Sequence, residues 1–422
     1  MLGLFLLAPE KARKVVEAPN RADDRWFVLI VCLFAAYVRL RAIQHAAADL
    51  DPVHLDGPDS GDYFRTAAST SKDFGQIYAP LFWEKPGYPL FLALLFRLSG
   101  PSLAVAWGAQ LILGTLSVAL TFLLGKRLFS RSVGKLAAFL QAGNGYVIAF
   151  GSYIGTEALG LVLIQLSALA LIRPEGTTTP GRGRGVLAGF ALGATTLVRP
   201  EFLLFFPIAL IWVLATWHPR VQAAAFLAVA FAAILTPWTV RNHAVRGKWV
   251  PFDLPAAQSL FLQQHPKMAK IGVGLNNPKE LLGTLARKPL KTLTALFYSP
   301  EAPSNIRAFW DYRRYEADDF VHLLKGSLFS RILYIWEYAL LVVGVVLGVS
   351  WRRSALLLIV FIAYRCLFAA WTYFLSWHRF TIEAFVIIFH AVAIFWLLEG
   401  AFKFRFIGGQ LGKGTIQSEL SG

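Results

Sequence analysis

Side chains able to move a proton or hold a phosphate recur at a few places in this chain. The first stretch reads Asp59-Ser60-Gly61-Asp62-Tyr63, and a second reads Phe82-Trp83-Glu84-Lys85-Pro86-Gly87-Tyr88-Pro89. Further on come Gly155-Thr156-Glu157, Val198-Arg199-Pro200-Glu201, Pro237-Trp238-Thr239-Val240-Arg241-Asn242 and Trp377-His378-Arg379-Phe380. A carboxylate within hydrogen-bond reach can accept the proton of an attacking hydroxyl. Cations can hold a phosphate and stabilise the charge it gains as it leaves. Arginine does this through a planar fork and lysine as a point charge. Together these residue types suit group transfer from a lipid-linked phosphate, provided the chain places them on one membrane face.

The elements that would place them are membrane spans. Of 422 residues, 56% are hydrophobic and 16% charged, and mean hydropathy is +0.54. An average soluble chain carries about a quarter charged residues. Apolar runs of about 20 residues cross the bilayer hydrocarbon. Ten spans are predicted, at 26–44, 102–124, 134–150, 157–172, 185–198, 202–216, 221–239, 331–350, 354–372 and 380–398. The net charge of +16 does not point to nucleic acid, because the basic residues form short clusters between apolar runs and no continuous basic face. Cys32 and Cys366 form no disulfide or zinc motif. Met1–Leu7 is short and precedes its basic residues, the wrong order for a cleavable signal.

Short loops rich in Lys and Arg stay cytoplasmic. Lys126, Arg127, Arg131 and Lys135, then Arg173, Arg182 and Arg184, then Arg220, then Arg352 and Arg353, then Lys403 and Arg405 all fall on one side of the ten-span chain. This puts 1–25 and 400–422 inside, and a transmembrane core (26–239) and C-terminal helices (331–399) across the membrane. Two long outer loops remain, 45–101 and 240–330. The first holds seven acids against four Lys/Arg; the second holds thirteen Lys/Arg against seven acids. Within the second, 279–297 and 305–325 read as interfacial helices. Residues 86–99 are too short for a full crossing and read as an interfacial or re-entrant helix; an eleven-span chain with its C-terminus outside is the alternative. The polar motifs then gather on the outer face, although only the basic inner loops set the topology.

With these motifs in this order, the chain resembles the GT-C superfamily of polytopic glycosyltransferases, in particular its family 39-like group. That group includes protein O-mannosyltransferases, the lipid A aminoarabinose transferase and the RgtA-type bacterial sugar transferases. The resemblance rests on Asp59-x-x-x-Tyr63 with Ala67, on Lys85-Pro-Gly-Tyr-Pro-Leu-Phe-Leu-Ala-Leu-Leu-Phe-Arg-Leu, on Thr156-Glu157, on Val198-Arg-Pro-Glu-Phe-Leu-Leu, and on Pro237-Trp-Thr-Val-Arg-Asn. It runs from the first span to about residue 300 and again near Arg379. The fold implied is an all-α GT-C-like bundle of about ten transmembrane helices, with two outer loops carrying interfacial helices.

The activity implied is inverting transfer of a sugar from a polyprenyl-phosphate donor to an acceptor hydroxyl on a glycan, lipid A or a protein, at the periplasmic face of a bacterial inner membrane. By this resemblance Asp59 is the general base and Asp62 the second choice; many members have Asp-Glu adjacent, whereas Ser60 follows Asp59 here. Lys85, Arg241 and Arg379 are assigned to the donor phosphate. Glu157, Arg199, Glu201 and Glu84 support or orient them, and Tyr63 and Tyr88 contact sugar or acceptor.

Each residue also has a plainer reading. Asp59 sits in a turn, where Asp is common for its own backbone hydrogen bonds. Lys85 and Arg241 suit interfacial anchors. Arg199 and Glu201 suit a span-capping salt bridge, and Glu157 a helix N-terminus. His378 and His265 show no metal-ligand spacing, and no protein metal site is expected; acids beside a phosphate leave recruitment of a divalent cation open. The rival reading is a transporter or lipid flippase, which calls for ionisable residues deep in spans and an internal repeat; Arg365 is the residue noted inside a span. A structural subunit of an envelope assembly is the third reading.

Overall fold

The computed structural model describes residues 21–48, 59–79, 85–173, 182–247, 249, 328–371 and 376–399. Every regular element among them is helical. In chain order these are α1 (Arg21–Ala48), α2 (Ser60–Lys72), a 3-10 turn (Phe74–Tyr78), α3 (Gly87–Ser99), α4 (Leu103–Leu128), α5 (Arg131–Ala142), α6 (Gly145–Ser152) and α7 (Thr156–Leu171). There follow α8 (Arg182–Val198), a 3-10 turn (Pro200–Phe205), α9 (Phe206–Thr216), α10 (Arg220–Arg246), α11 (Leu328–Trp351), α12 (Leu356–Trp371), a 3-10 turn (Ser376–Ile382) and α13 (383–399). The expected interfacial helices at 279–297 and 305–325, and the two chain ends, lie outside the described residues.

Among the described residues, four stretches are long and apolar enough to cross a membrane: Asp24–His45, Leu103–Leu128, Arg220–Val245 and Arg379–Glu399. The expected spans at 134–150 and 157–172 are more broken than hydropathy suggests. Asn144 caps a new helix by accepting from the Val147 amide at 2.9 Å, so the first is divided into α5 and α6. α6 and α7 are then bent by 118° at the break between them. Gln110 of α4 donates to the Tyr153 carbonyl and, at 3.0 Å, to that of Gly155, meeting acceptors the break leaves outside a helix. α3, at 13 residues, rises about 20 Å, short of the roughly 30 Å hydrocarbon core.

Expected basic loops among the described residues meet at one end of the bundle, while Lys403 and Arg405 lie outside those residues. Asp24 of α1 pairs with Lys126 at 2.7 Å, Arg131 at 3.4 Å and Lys135 at 3.6 Å. Arg127 and Arg184 both donate to the Ile172 carbonyl, and Arg173 donates to that of Thr216. Cations at a helix C-terminus meet its last carbonyls and its dipole favourably. Phe129 meets Trp351 at 5.7 Å, bringing the turn before Arg352 and Arg353 to the same end.

Between the ends, close helix packing comes from small residues, as is usual where lipid supplies no hydrophobic drive between spans. Gly185, Gly189 and Gly193, one turn apart along α8, lie against Ala223, Leu227 and Ile234 of α10. A buried polar cluster sets the register of α4, α5 and α7. Gln141 donates to Ser117 Oγ at 2.9 Å, Gln165 to Thr121 Oγ1 at 2.7 Å, and the Thr121 hydroxyl meets Gln141. Unmade hydrogen bonds would be costly there.

At the end opposite the basic loops, α2 and α3 pack as a pair. Tyr63 and Ala67 of α2 are buried with Tyr88, Leu92 and Phe96 of α3, a one-turn spacing on each helix. Ile154 from the break between α6 and α7, Ala158 of α7 and Val198 of α8 close the same cluster. This small core carries the site.

Candidate active site

Lys85 and Arg199 are 114 residues apart in sequence and are brought together by a glycine. A Cβ on Gly87 would stand 2.6 Å from both the amide nitrogen and Cγ2 of Val198, so only glycine allows the start of α3 to touch the end of α8. Gly160 plays a lesser part, with the Arg199 stem lying 3.4 Å from its Cβ position. Asp59 arrives from α2. It stands at the N-cap position, yet its side chain makes no capping bond. The local hydrogen bond that would explain an Asp in this turn is therefore not made.

Beneath these two residues runs a chain of closed ion pairs. Arg199 Nη2 meets Glu157 Oε1 at 2.8 Å, and Arg199 Nη1 lies 3.8 Å from Glu201 Oε1. Arg365 of α12 completes the chain, its Nη1 3.2 Å from Glu201 Oε1. Arg365 is 1% exposed and lies 5.6 Å from the rings of Phe202 and Phe368. The neighbouring Tyr364 hydroxyl donates to the Glu201 carbonyl.

Asp59 and Lys85 differ from this chain. Both are half-buried and each stands in the other's field, but neither closes a hydrogen bond or ion pair with its side chain among the described residues. Burial pushes the Asp59 carboxyl up; Glu157 and Asp62 add to this, and Lys85 and Arg199 only partly offset it. Burial also pushes Glu201 up, but Arg365, Arg199 and Lys85 outweigh it and hold that carboxyl below its ordinary range. Three carboxylates (Asp59, Glu157, Glu201) thus face three cations (Lys85, Arg199, Arg365), and one member of each sign is left open.

The other expected residues are placed differently. Asp62, one turn along α2, pairs with Arg65 at 2.6 Å on an exposed surface. Tyr63 and Tyr88 meet edge to face at 5.2 Å and are 3% and 0% exposed, so they form the floor of the site and not an open surface. Arg241 donates to the carbonyls of Ile77 at 2.6 Å and Ala79 at 2.7 Å and lies over Trp238. It clamps the 3-10 turn Phe74–Tyr78 to α10. Arg379 is held by Glu383 at 2.7 and 3.1 Å and by Glu337 at 2.7 Å. Arg379 also lies 5.9 Å from the centre of the Tyr146 ring. Both arginines were expected at phosphate, and protein acceptors occupy both guanidinium groups. Glu84 and the His378 side chain lie outside the described residues. No cluster of three or more His, Cys, Asp or Glu suited to a metal occurs among the described residues.

Sequence reasoning missed the Glu337–Arg379–Glu383 group and the part of Arg365. An arginine inside an apolar run was the available signal for the latter.

The family model for dolichyl-phosphate-mannose-protein mannosyltransferases matches residues 83–240. That stretch holds Lys85, Glu157, Arg199 and Glu201 and begins after Asp59. The structure is similar to the oligosaccharyltransferase AglB of Archaeoglobus fulgidus in complex with an inhibitory peptide and a dolichol-phosphate, with a TM-score of 0.58 at 16% identity over 92% of this chain. It is equally similar, over 93% of this chain, to the same organism's enzyme tethered to an acceptor peptide. The chain has the GT-C fold. It spans about half the length of these solved structures, 52% in each, and no curated protein matched. The all-helical bundle of apolar helices expected from the sequence, and its GT-C resemblance, are met; it is an integral membrane protein.

Proposed function

We propose that this GT-C protein is a glycosyltransferase that moves a sugar from a polyprenyl-phosphate donor to an acceptor hydroxyl, with inversion at the anomeric carbon. The observation that carries this reading is the open pair, Asp59 and Lys85, above a closed Glu157–Arg199–Glu201–Arg365 chain. A base and a phosphate-binding cation must be free to take up substrate, and among the described residues neither side chain of this pair is engaged.

In the proposed reaction the acceptor oxygen forms a bond to the anomeric carbon as the bond to the phosphate oxygen breaks. Asp59 takes the hydroxyl proton, which its raised pKa favours. The electron pair of the broken bond stays with the departing polyprenyl phosphate, and Lys85 offsets its charge. The Arg199 pairs hold both groups in register, and Arg241 fixes the outer turn that leads to Lys85. Basic residues gather at the opposite end of the bundle, and the positive-inside rule makes that end cytoplasmic. The site then faces outward, the periplasmic side of a bacterial inner membrane. The acceptor class is a glycan, lipid A or a protein.

The test is sugar transfer in proteoliposomes with a panel of polyprenyl-phosphate sugars. Transfer by wild type that is lost in Asp59→Asn with donor still bound supports the reading. Transfer unchanged in Asp59→Asn and Lys85→Ala would sink the site. A transport reading draws on the buried intramembrane arginines Arg39 and Arg365; lipid translocation without transfer, in the same vesicles, would select it.

A further inference from the structure

The Arg199 guanidinium is shared unequally. It lies 2.8 Å from Glu157 but 3.8 Å from Glu201, while Arg365 approaches the same Glu201 oxygen to 3.2 Å from inside the bundle. A buried carboxylate keeps its charge only if paired. Without Arg365, Glu201 would have Arg199 as its nearest partner and would draw it away from Glu157.

We infer that Arg365 is a positioning residue: by holding Glu201 it leaves Arg199 on Glu157, and so sets the charge that Asp59 meets. The role of Asp59 as base rests on the transfer reading above; the charge coupling does not. The groups facing Asp59 are Lys85 before α3, Glu157 on α7, Asp62 on its own helix, and Arg199 after α8. Those facing Glu201 are Arg365 of α12, Arg199 and Lys85. Arg365 therefore reaches Asp59 through two shared partners and touches no substrate itself.

Two changes of opposite sign separate this from a purely structural part. Arg365→Met makes the cluster more negative and releases Glu157, so the acid limb of the kcat/KM profile is expected to move up by roughly half a pH unit or more. Glu201→Gln removes a negative charge and leaves Arg199 wholly to Glu157, so the limb is expected to move down. Arg365→Met/Glu201→Gln, and Arg365→Lys alone, return it towards wild type. A structural part would lower activity at all pH values without displacing the limb in opposite directions.

The same series is read without turnover in an Asp59→Cys background carrying Cys32→Ser and Cys366→Ser, where the pH dependence of iodoacetamide alkylation reports acidity at position 59. The thiol is expected to move with the same signs. If Arg365→Met does not fold, Glu201→Gln and the double variant still carry the sign test. Limbs and thiol acidities that stay at the wild-type value in folded variants, or move the same way in both single variants, overturn the inference. A wild type that transfers no sugar would instead sink the transfer reading and leave the alkylation series to decide.

Discussion

Gly87 lies so close to Val198 that a single added carbon would stand 2.6 Å from the Val198 amide nitrogen. That contact joins Lys85-Pro86-Gly87 to Val198-Arg199-Pro200. Gly87→Ala must push α3 off the end of α8, because one of the obstructing atoms is backbone. Overpacking of this kind costs about 1–3 kcal/mol. The expected outcome is a lower melting temperature in detergent and a larger loss of transfer than the stability change explains, since Lys85 moves with the helix start. A fully active Gly87→Ala protein would mean that the contact does not position Lys85.

Asp59→Asn is expected to lower kcat by about 100- to 10,000-fold, the usual worth of a general base, with donor binding kept. Asp62→Asn is expected to change little, because Asp62 is spent on exposed Arg65. Single-turnover kinetics with saturating donor distinguish the two; the reverse ranking would transfer the base to Asp62.

Stability gives a second, independent reading of Asp59. Its carboxyl is raised in the folded protein by burial first and by Glu157 and Asp62 after it. Folding therefore favours the neutral form, and that contribution is lost as pH rises through the raised value. At neutral pH Asp59→Asn should melt higher than wild type, and the difference should vanish as pH falls towards the ordinary 3.8. Thermal scans across pH check this, and a less stable Asp59→Asn protein at neutral pH would contradict it.

Arg199→Met leaves Glu157 and Glu201 without the cation they share. Breaking a buried pair by removing one partner costs about 3–5 kcal/mol, so this variant is expected to be poorly folded. Arg199→Met/Glu157→Gln should recover part of the loss in melting temperature, and an Arg199→Met protein as stable as wild type would show that the pairs contribute nothing.

Arg241→Ala opens the clamp on Ile77 and Ala79. Limited proteolysis near residues 74–79 is expected to quicken, with transfer falling through a slower kcat. A variant that binds donor more weakly, with the proteolytic pattern unchanged, would return Arg241 to the phosphate.

Much of this was legible because hydropathy and basic loops act at the scale of whole spans. They placed Asp59, Lys85, Glu157 and Arg199 at one end without any knowledge of contacts. The broken helices were not legible, since Asn144 looks like any polar residue until its cap at Val147 is seen. The hold on Arg241 was not legible, because its acceptors are backbone carbonyls more than 160 residues away, and carbonyls leave no mark in a sequence. The pairing of Arg379 with Glu337 was not legible, because that acid lies 42 residues before it on another helix. Tyr63 and Tyr88 carry polar tips that suggest contact with sugar, yet their rings interlock as core.

The balance of three carboxylates against three cations has a consequence for the product. On the proposed reaction a phosphodiester with one negative charge enters, and a phosphate monoester able to carry two departs. Among the described residues Lys85 is the open cation for it, and one proton stays on Asp59. A monoester with a second pKa of about 6 can take that proton as it goes, leaving the carboxylate ready for the next acceptor. Such a site resets its own charge in each cycle and has little electrostatic hold on the spent lipid, which is free to diffuse back into the bilayer.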